Sequence, residues 1–257
     1  MLGAIIGDII GSTREFNGIK TKDFELFPID STFTDDSVLT FATADAILNK
    51  KPFDKTYRDY YFKYPDRGFG GMFVQWTFMK DYKPYNSFGN GSTMRVSPVG
   101  WVCDNLEDTL DLAKRSAEVT HNHPEGIKGA QAIASAIFLA RKKKSKDEIR
   151  QYLEQEFDYD LSLTIDEIRN TAFFNETCMI SVPEAIIAFL DSDSFEDAIR
   201  NAISLGADAD TQACIAGSIA EAFYGIPDDL KNMAVSYLND DFIETLNEFD
   251  KFVSKVK

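Results

Sequence analysis

Two short acidic clusters stand far apart in this chain, Thr34-Asp35-Asp36 and Asp208-Ala209-Asp210-Thr211. Together they offer four carboxylates and two hydroxyls, an all-oxygen donor set that suits a hard cation. Mg²⁺ takes near-octahedral oxygen coordination at roughly 2.0–2.1 Å, and two ions sharing carboxylates sit about 3.5–4 Å apart. Each cluster alone also reads as helix capping, a hydroxyl or carboxylate N-cap followed by acidic groups that favour the positive end of the helix dipole. A metal site requires the two helix starts to be neighbours.

Histidine offers little competing metal chemistry. His121 and His123 are the two histidines, and no nearby cysteine completes a zinc set. Cys103, Cys178 and Cys214 are odd in number, widely spaced and free of any C-x-x-C pair, which fits a reducing, cytoplasmic compartment.

The acidic clusters need helices to hold them. Apolar residues recur at helical spacing after Asp35, and further helices are expected over 54–63, 71–79, 106–119, 125–141, 146–156, 182–190, 194–205, 211–224, 227–238 and 241–253. Alternating strands are scarce, so an all-α bundle is expected. Two of the helices, 129–137 and 211–222, are crowded with Ala, Gly and Ser, small side chains that let helix axes approach closely. Met1 to Asp8 reads as a buried first helix, because Asp8 interrupts the apolar run long before a membrane-spanning length and no basic flank precedes it. No repeat or linker divides the 257 residues, which are expected to form one domain. The formal net charge of −15 argues against extended nucleic-acid binding, since phosphate neutralisation needs clustered Lys and Arg. It does not exclude a pyrophosphate, which backbone N–H groups and a metal can hold. The run Arg141-Lys142-Lys143-Lys144 follows a helix and reads as a solvated C-terminal end.

Several ordered segments carry a family resemblance. Gly7-Asp8-Ile9-Ile10-Gly11-Ser12-Thr13-Arg14-Glu15 is followed by Thr34-Asp35-Asp36-Ser37 and Arg67-Gly68-Phe69-Gly70-Gly71. Ser87-Phe88-Gly89-Asn90-Gly91-Ser92-Thr93-Met94-Arg95, Thr120-His121-Asn122-His123-Pro124 and Gly206-Ala207-Asp208-Ala209-Asp210-Thr211 complete the series. In order and spacing these resemble the ADP-ribosylglycohydrolase family, which includes the dinitrogenase-reductase-activating glycohydrolases. The chain departs from the family pattern at Ala207, commonly Gly, and at Ala209, often a hydroxyl or thiol residue.

The resemblance implies an all-α, single-domain orthogonal helical bundle with a cleft that holds two Mg²⁺ ions, or Mn²⁺, on Thr34, Asp35, Asp36, Asp208, Asp210 and Thr211, with Asp210 as the candidate shared ligand. It assigns catalysis to Glu15, Asp35, Asp36 and Asp210, with Glu15 as a movable carboxylate. Gly68, Gly70, Gly71, Phe88, Gly89, Asn90, Gly91, Ser92, Met94 and His121 would contact substrate. In that role the backbone N–H groups of 89–92 and the Ser92 hydroxyl would receive the pyrophosphate. Phe88 would face adenine or pack in the core, and Arg95 would pair with a buried carboxylate or a phosphate. The implied activity is hydrolysis of the C1″ bond between ADP-ribose and an acceptor, the partner being an ADP-ribosylated protein. An arginine linkage is the first candidate, with serine-linked and O-acetyl substrates behind it. A non-catalytic ADP-ribose-binding protein and a binuclear-metal pyrophosphohydrolase are the competing readings.

Overall fold

The glycines of the first helix decide where the acidic clusters meet. In the computed structural model, which describes residues 1–256, α1 (Leu2–Gly11) is buried along its whole length. After it come α2 (Asp35–Leu48), α3 (Phe53–Lys63), α4 (Gly71–Thr77), α5 (Gly91–Met94), α6 (Ser97–Val102), α7 (Leu106–Ala117) and α8 (Pro124–Arg141). The second half holds α9 (Lys146–Phe157), α10 (Ile165–Arg169), α11 (Cys178–Leu190), α12 (Phe195–Ile203), α13 (Ala209–Tyr224), α14 (Asp228–Val235) and α15 (Asp240–Val253). Gly3, Gly7 and Gly11 form a stripe on α1 that lies against α13. A Cβ on Gly7 would stand 2.0 Å from the Ala213 carbonyl oxygen, and one on Gly11 would stand 2.4 Å from the Asp210 Cα. Gly3 meets Gly217 and Glu221 while Gly11 meets Ala209 and Asp210, so the helices run antiparallel with backbones touching. The end of α1 is thereby pinned beside the start of α13.

The protein is all-α. Among the described residues its strand-like pairing is a single antiparallel bridge, Gly89 with Thr177. The small-residue helices are central, as their composition suggests: α13 packs against α1, α8, α11 and α12, and α7 covers α8. A continuous cluster of buried apolar side chains runs from Met1, just before α1, to Phe249 in α15. A second, aromatic cluster around Tyr57, Tyr61, Phe73 and Trp76 sits under α4.

Where the elements differ from the sequence reading, local chemistry gives the reason. The helix expected from Val182 begins at Cys178 and absorbs Pro183 in its second turn, where the missing N–H forfeits one intrahelical bond. Short α5, α6 and α10 escape periodicity analysis because few turns repeat. The cap of α10 was nonetheless written in the sequence, since Thr164 and Glu167 form a reciprocal capping box. Arg141 is not a simply solvated helix end: its guanidinium donates to the Trp101 and Cys103 carbonyls and ties α8 to the end of α6. No helix among the described residues is long and apolar enough to cross a membrane.

The long connection from α1 to α2 is held by side chains. Lys20 donates to the carbonyls of Arg169 (2.8 Å), Ala172 (2.7 Å) and Leu205. Arg200 Nη1 donates to those of Lys22 (2.8 Å) and Phe24 (2.9 Å). These bonds tie the connection to α12 and to the segments that follow α10 and α12.

Candidate active site

Asp8 is the hub beneath the site, and it is a residue to which sequence reasoning gave no role. It is fully buried and accepts hydrogen bonds from Thr34 N (3.0 Å), Thr34 Oγ1 (2.7 Å), Ser37 N (3.1 Å) and the Ser37 hydroxyl. One carboxylate on α1 therefore satisfies orphan donors at the start of α2 and fixes Thr34-Asp35-Asp36 in space. Burial raises its pKa in spite of those four donors. A charged residue inside an otherwise apolar helix was the available signal. Thr34 also accepts from Asp36 N at 3.3 Å, so the capping reading of that cluster is correct. Its hydroxyl proton is committed to Asp8, which leaves an oxygen lone pair for a further partner.

The second cluster does not cap its helix in the expected way. α13 begins at Ala209, which puts Asp210 and Thr211 in its first turn. Asp208 occupies the N-cap position without a side-chain capping bond; its Oδ2 instead accepts from Asn90 Nδ2 at 2.6 Å. Asn90 is thus a link between the glycine segment and the acidic cluster.

The two clusters converge in one cleft with a cavity volume of about 220 Å³. Glu15, Asp35, Asp36, Asp208, Asp210 and Thr211 line it. Oxygen atoms of Glu15, Asp208 and Asp210 lie within 4.8 Å of one another, while Asp35 and Asp36 stand outside that trio. Thr211 Oγ1 reaches Asp36 Oδ1 at 3.5 Å, and Asp36 Oδ2 is buried without a partner. Burial first, and the repulsion of Asp210 second, push Asp35 and Asp36 well above the ordinary carboxylate range. Burial and then Asp208 do the same to Asp210. Burial carries Asp208 to about 7 against the opposing Asn90 bond, and burial with Asp210, Glu176 and Asp8 carries Glu15 to about 8. Like charges this close ionise together only if a cation joins them. No Lys or Arg forms an ion pair with any of the five among the described residues. The donor set is entirely oxygen, so these residues fit a hard divalent metal.

The substrate-contacting candidates divide. Gly68, Gly70, Gly71, Gly89, Asn90, Gly91, Met94 and His121 line the cleft. Gly68 has φ +88° and lies beside Asp35, where a Cβ would stand 3.6 Å from Oδ1; open space surrounds Gly70 and Gly71. Thr34, Phe88 and Ser92 are not among the lining residues. Phe88 is 45% exposed and meets His123 edge-on, so it is not core. Ser92 is fully buried and its hydroxyl donates to the Gly126 carbonyl at 2.7 Å, which commits its proton to holding α5 against α8. The expected backbone cradle is also smaller than the sequence suggested. Gly89 N donates to Ser87 Oγ at 3.1 Å and Asn90 N to the Glu176 carbonyl at 2.7 Å. Arg95 pairs with no carboxylate: it is fully buried, stacks at 4.2 Å over Tyr57, and donates to the Ser116 carbonyl and Thr120 Oγ1. His123 caps α8 by accepting from Glu125 N at 3.1 Å. Tyr85, Ser87, Arg95, Glu176, Leu39, Met72 and Phe73 complete the walls; Ser87 and Arg95 are the two ends of the glycine motif, and no motif pointed to the other five. Their places follow from the bridge between Gly89 and Thr177 and from the packing of α4.

Comparison with known proteins converges on one family. The ADP-ribosylglycohydrolase family model matches residues 1–253. The ADP-ribosylhydrolase ARH3 of Homo sapiens is 26% identical, the match covering 95% of this chain and 90% of that protein. The ADP-ribosylarginine hydrolase Tri1 of Pseudomonas putida is 25% identical, with 88% of this chain and 70% of that one covered. A solved structure described as an ADP-ribosylglycohydrolase-related protein complex shares the fold, with a TM-score of 0.68 at 22% identity over 98% of this chain and 92% of the other. With the family model matched from residue 1 to residue 253, the chain belongs to the ADP-ribosylglycohydrolase family.

Proposed function

We propose that this protein is a divalent-metal-dependent hydrolase that cleaves the C1″ glycosidic bond joining ADP-ribose to an acceptor, with the whole chain acting as one domain. The observation that carries this reading is the meeting of Glu15, Asp208 and Asp210 within 4.8 Å in a cleft that also holds Asp35, Asp36, Gly89, Gly91 and His121. Relatives named for ADP-ribose hydrolysis align over most of the chain, which supports the same substrate class here.

Thr34, Asp35, Asp36, Asp208, Asp210 and Thr211 would hold two Mg²⁺ ions. When bound, such ions supply orientation of the ribose hydroxyls, a lowered pKa for water and charge stabilisation. The chain's own contributions are separate. Asp8 and Asn90 fix the carboxylates, Gly68 lets the backbone pass close to Asp35, and Glu15, the half-buried member of the trio, would exchange a proton with water at the reacting carbon. The leaving acceptor is the partner least constrained by these residues, and an arginine-linked protein is the first candidate.

A panel of arginine-, serine- and O-acetyl-linked ADP-ribose substrates, each with Mg²⁺ and then with excess chelator, tests this. Chelator-sensitive release of ADP-ribose from at least one supports the reading and names the linkage. Binding without release from any of them would make the protein a binding module.

A further inference from the structure

His121 is buried beside the glycine segment, and its hydrogen bonds determine which ring nitrogen carries the proton. Nδ1 lies 2.8 Å from Thr120 Oγ1. That hydroxyl has one proton to give. Arg95 Nη2 already donates to Thr120 Oγ1 at 2.7 Å, and a guanidinium can only donate. The alternative acceptors for the Thr120 proton are the Tyr85 hydroxyl, with which Thr120 makes no hydrogen bond of ordinary geometry, and the Ala117 carbonyl at 3.5 Å, an oxygen that already takes the N–H groups of Thr120 (3.1 Å) and His121 (2.8 Å). The Thr120 proton therefore goes to Nδ1, and the ring proton must sit on Nε2.

The Nε2 edge faces the cleft. A Cβ on Gly91 would crowd Nε2 at 3.1 Å, and one on Gly89 would stand at an ordinary contact distance of 3.8 Å, which puts Nε2 beside the two cleft-lining glycines. Arg95 is anchored for this task by the Ser116 carbonyl at 3.1 Å and by the Tyr57 face. The charged and titratable groups facing the ring are Arg95 and Tyr85, whose ring centroid is 5.8 Å away. Burial, followed by the Arg95 charge, holds the His121 pKa well below its ordinary value.

We propose that Arg95 and Thr120 are positioning residues that lock His121 as the Nε2–H tautomer, so that the ring serves the bound ADP-ribose as a neutral hydrogen-bond donor. The identity of the acceptor oxygen rests on the function proposed above; the tautomer does not. A donor fixed in this way offers its proton to a phosphate or ribose oxygen and cannot act as a base or a metal ligand through Nε2.

With two histidines in the chain, long-range ¹H–¹⁵N correlation spectra of the full-length, ¹⁵N-labelled protein resolve each ring, and His123→Asn assigns them. Wild type is expected to show His121 with Nδ1 unprotonated and Nε2 protonated at every pH from 6 to 8. Thr120→Ser should keep that pattern, whereas Thr120→Val should mix the tautomers and weaken ADP-ribose binding roughly fivefold to tenfold, the worth of one hydrogen bond. An Nδ1–H tautomer or a protonated ring in the wild type overturns the proposal, as does Thr120→Val leaving the tautomer unchanged. The wild-type spectrum decides even if that variant fails to fold. The expected tautomer in a protein that does not bind ADP-ribose would sink the functional reading and leave the tautomer assignment standing.

Discussion

Stripping the divalent metal and raising the pH is expected to destabilise the protein, and Asp208 sets the scale. Its carboxyl moves from an ordinary 3.8 to about 7, roughly three pH units at about 1.4 kcal/mol each, or about 4 kcal/mol. The folded pKa is the higher one, so the folded state keeps the proton longer than the unfolded chain. This contribution is whole below about pH 4 and is lost as the pH climbs through about 7. Asp35, Asp36 and Asp210 act in the same direction, and Glu15 adds a solvent-screened share through about 8. His121 opposes them below its ordinary pKa of 6.5, one group against five. For a chain of this size about 4 kcal/mol corresponds to a midpoint shift on the order of 10 °C. Thermal unfolding followed by circular dichroism at pH 5, 6, 7 and 8 in chelator should show the midpoint falling across the range, with the Asp208 share lost between pH 5 and about 7. Excess Mg²⁺ should restore more at pH 8 than at pH 5, because the deprotonated carboxylates are the ligands. A chelated midpoint that is flat or rises from pH 5 to 7, or that ignores Mg²⁺ at pH 8, would refute the reasoning.

Asp210→Asn should cost about 10²–10³-fold or more in turnover yet raise the metal-free thermal midpoint at pH 8, since it removes a buried charge from a repulsive cluster; a lower midpoint would contradict the electrostatics. Glu15→Gln should lower kcat by about 10²-fold with little change in midpoint, as expected for a half-buried proton-transfer group, and unchanged kcat would remove Glu15 from the mechanism. Gly7→Ala should destabilise by about 3 kcal/mol, despite the better helix propensity of alanine, because its Cβ would stand 2.0 Å from a backbone oxygen. A neutral or stabilising result in chemical denaturation would mean that α1 and α13 are not in backbone contact.

The parts of the site written as local pattern were legible in the sequence. Thr34-Asp35-Asp36 and Asp208–Thr211 announced a hard-cation donor set, and the small residues of α8 and α13 announced central helices. What escaped was set by tertiary partners. Asp8 looked like an interruption in an apolar helix until Thr34 and Ser37 arrived to hydrogen-bond it. Ser92 looked like a phosphate donor until Gly126 took its proton, and Asn90 N until the Glu176 carbonyl did. The Gly3, Gly7 and Gly11 spacing was visible as letters, but its meaning required the backbone of α13 on the other side. Arg95 was expected to meet a buried carboxylate or a phosphate, and in place of the carboxylate it meets the Tyr57 ring, a carbonyl and a threonine hydroxyl.

The most direct test of the central claim is the identity of the products formed from a protein-linked ADP-ribose substrate with Mg²⁺ present, read by mass spectrometry beside a chelated control. Glycosidic cleavage predicts intact ADP-ribose and an unmodified acceptor, both absent from the control. AMP with ribose phosphate left on the acceptor would contradict it and assign the acidic cleft to the pyrophosphate bond.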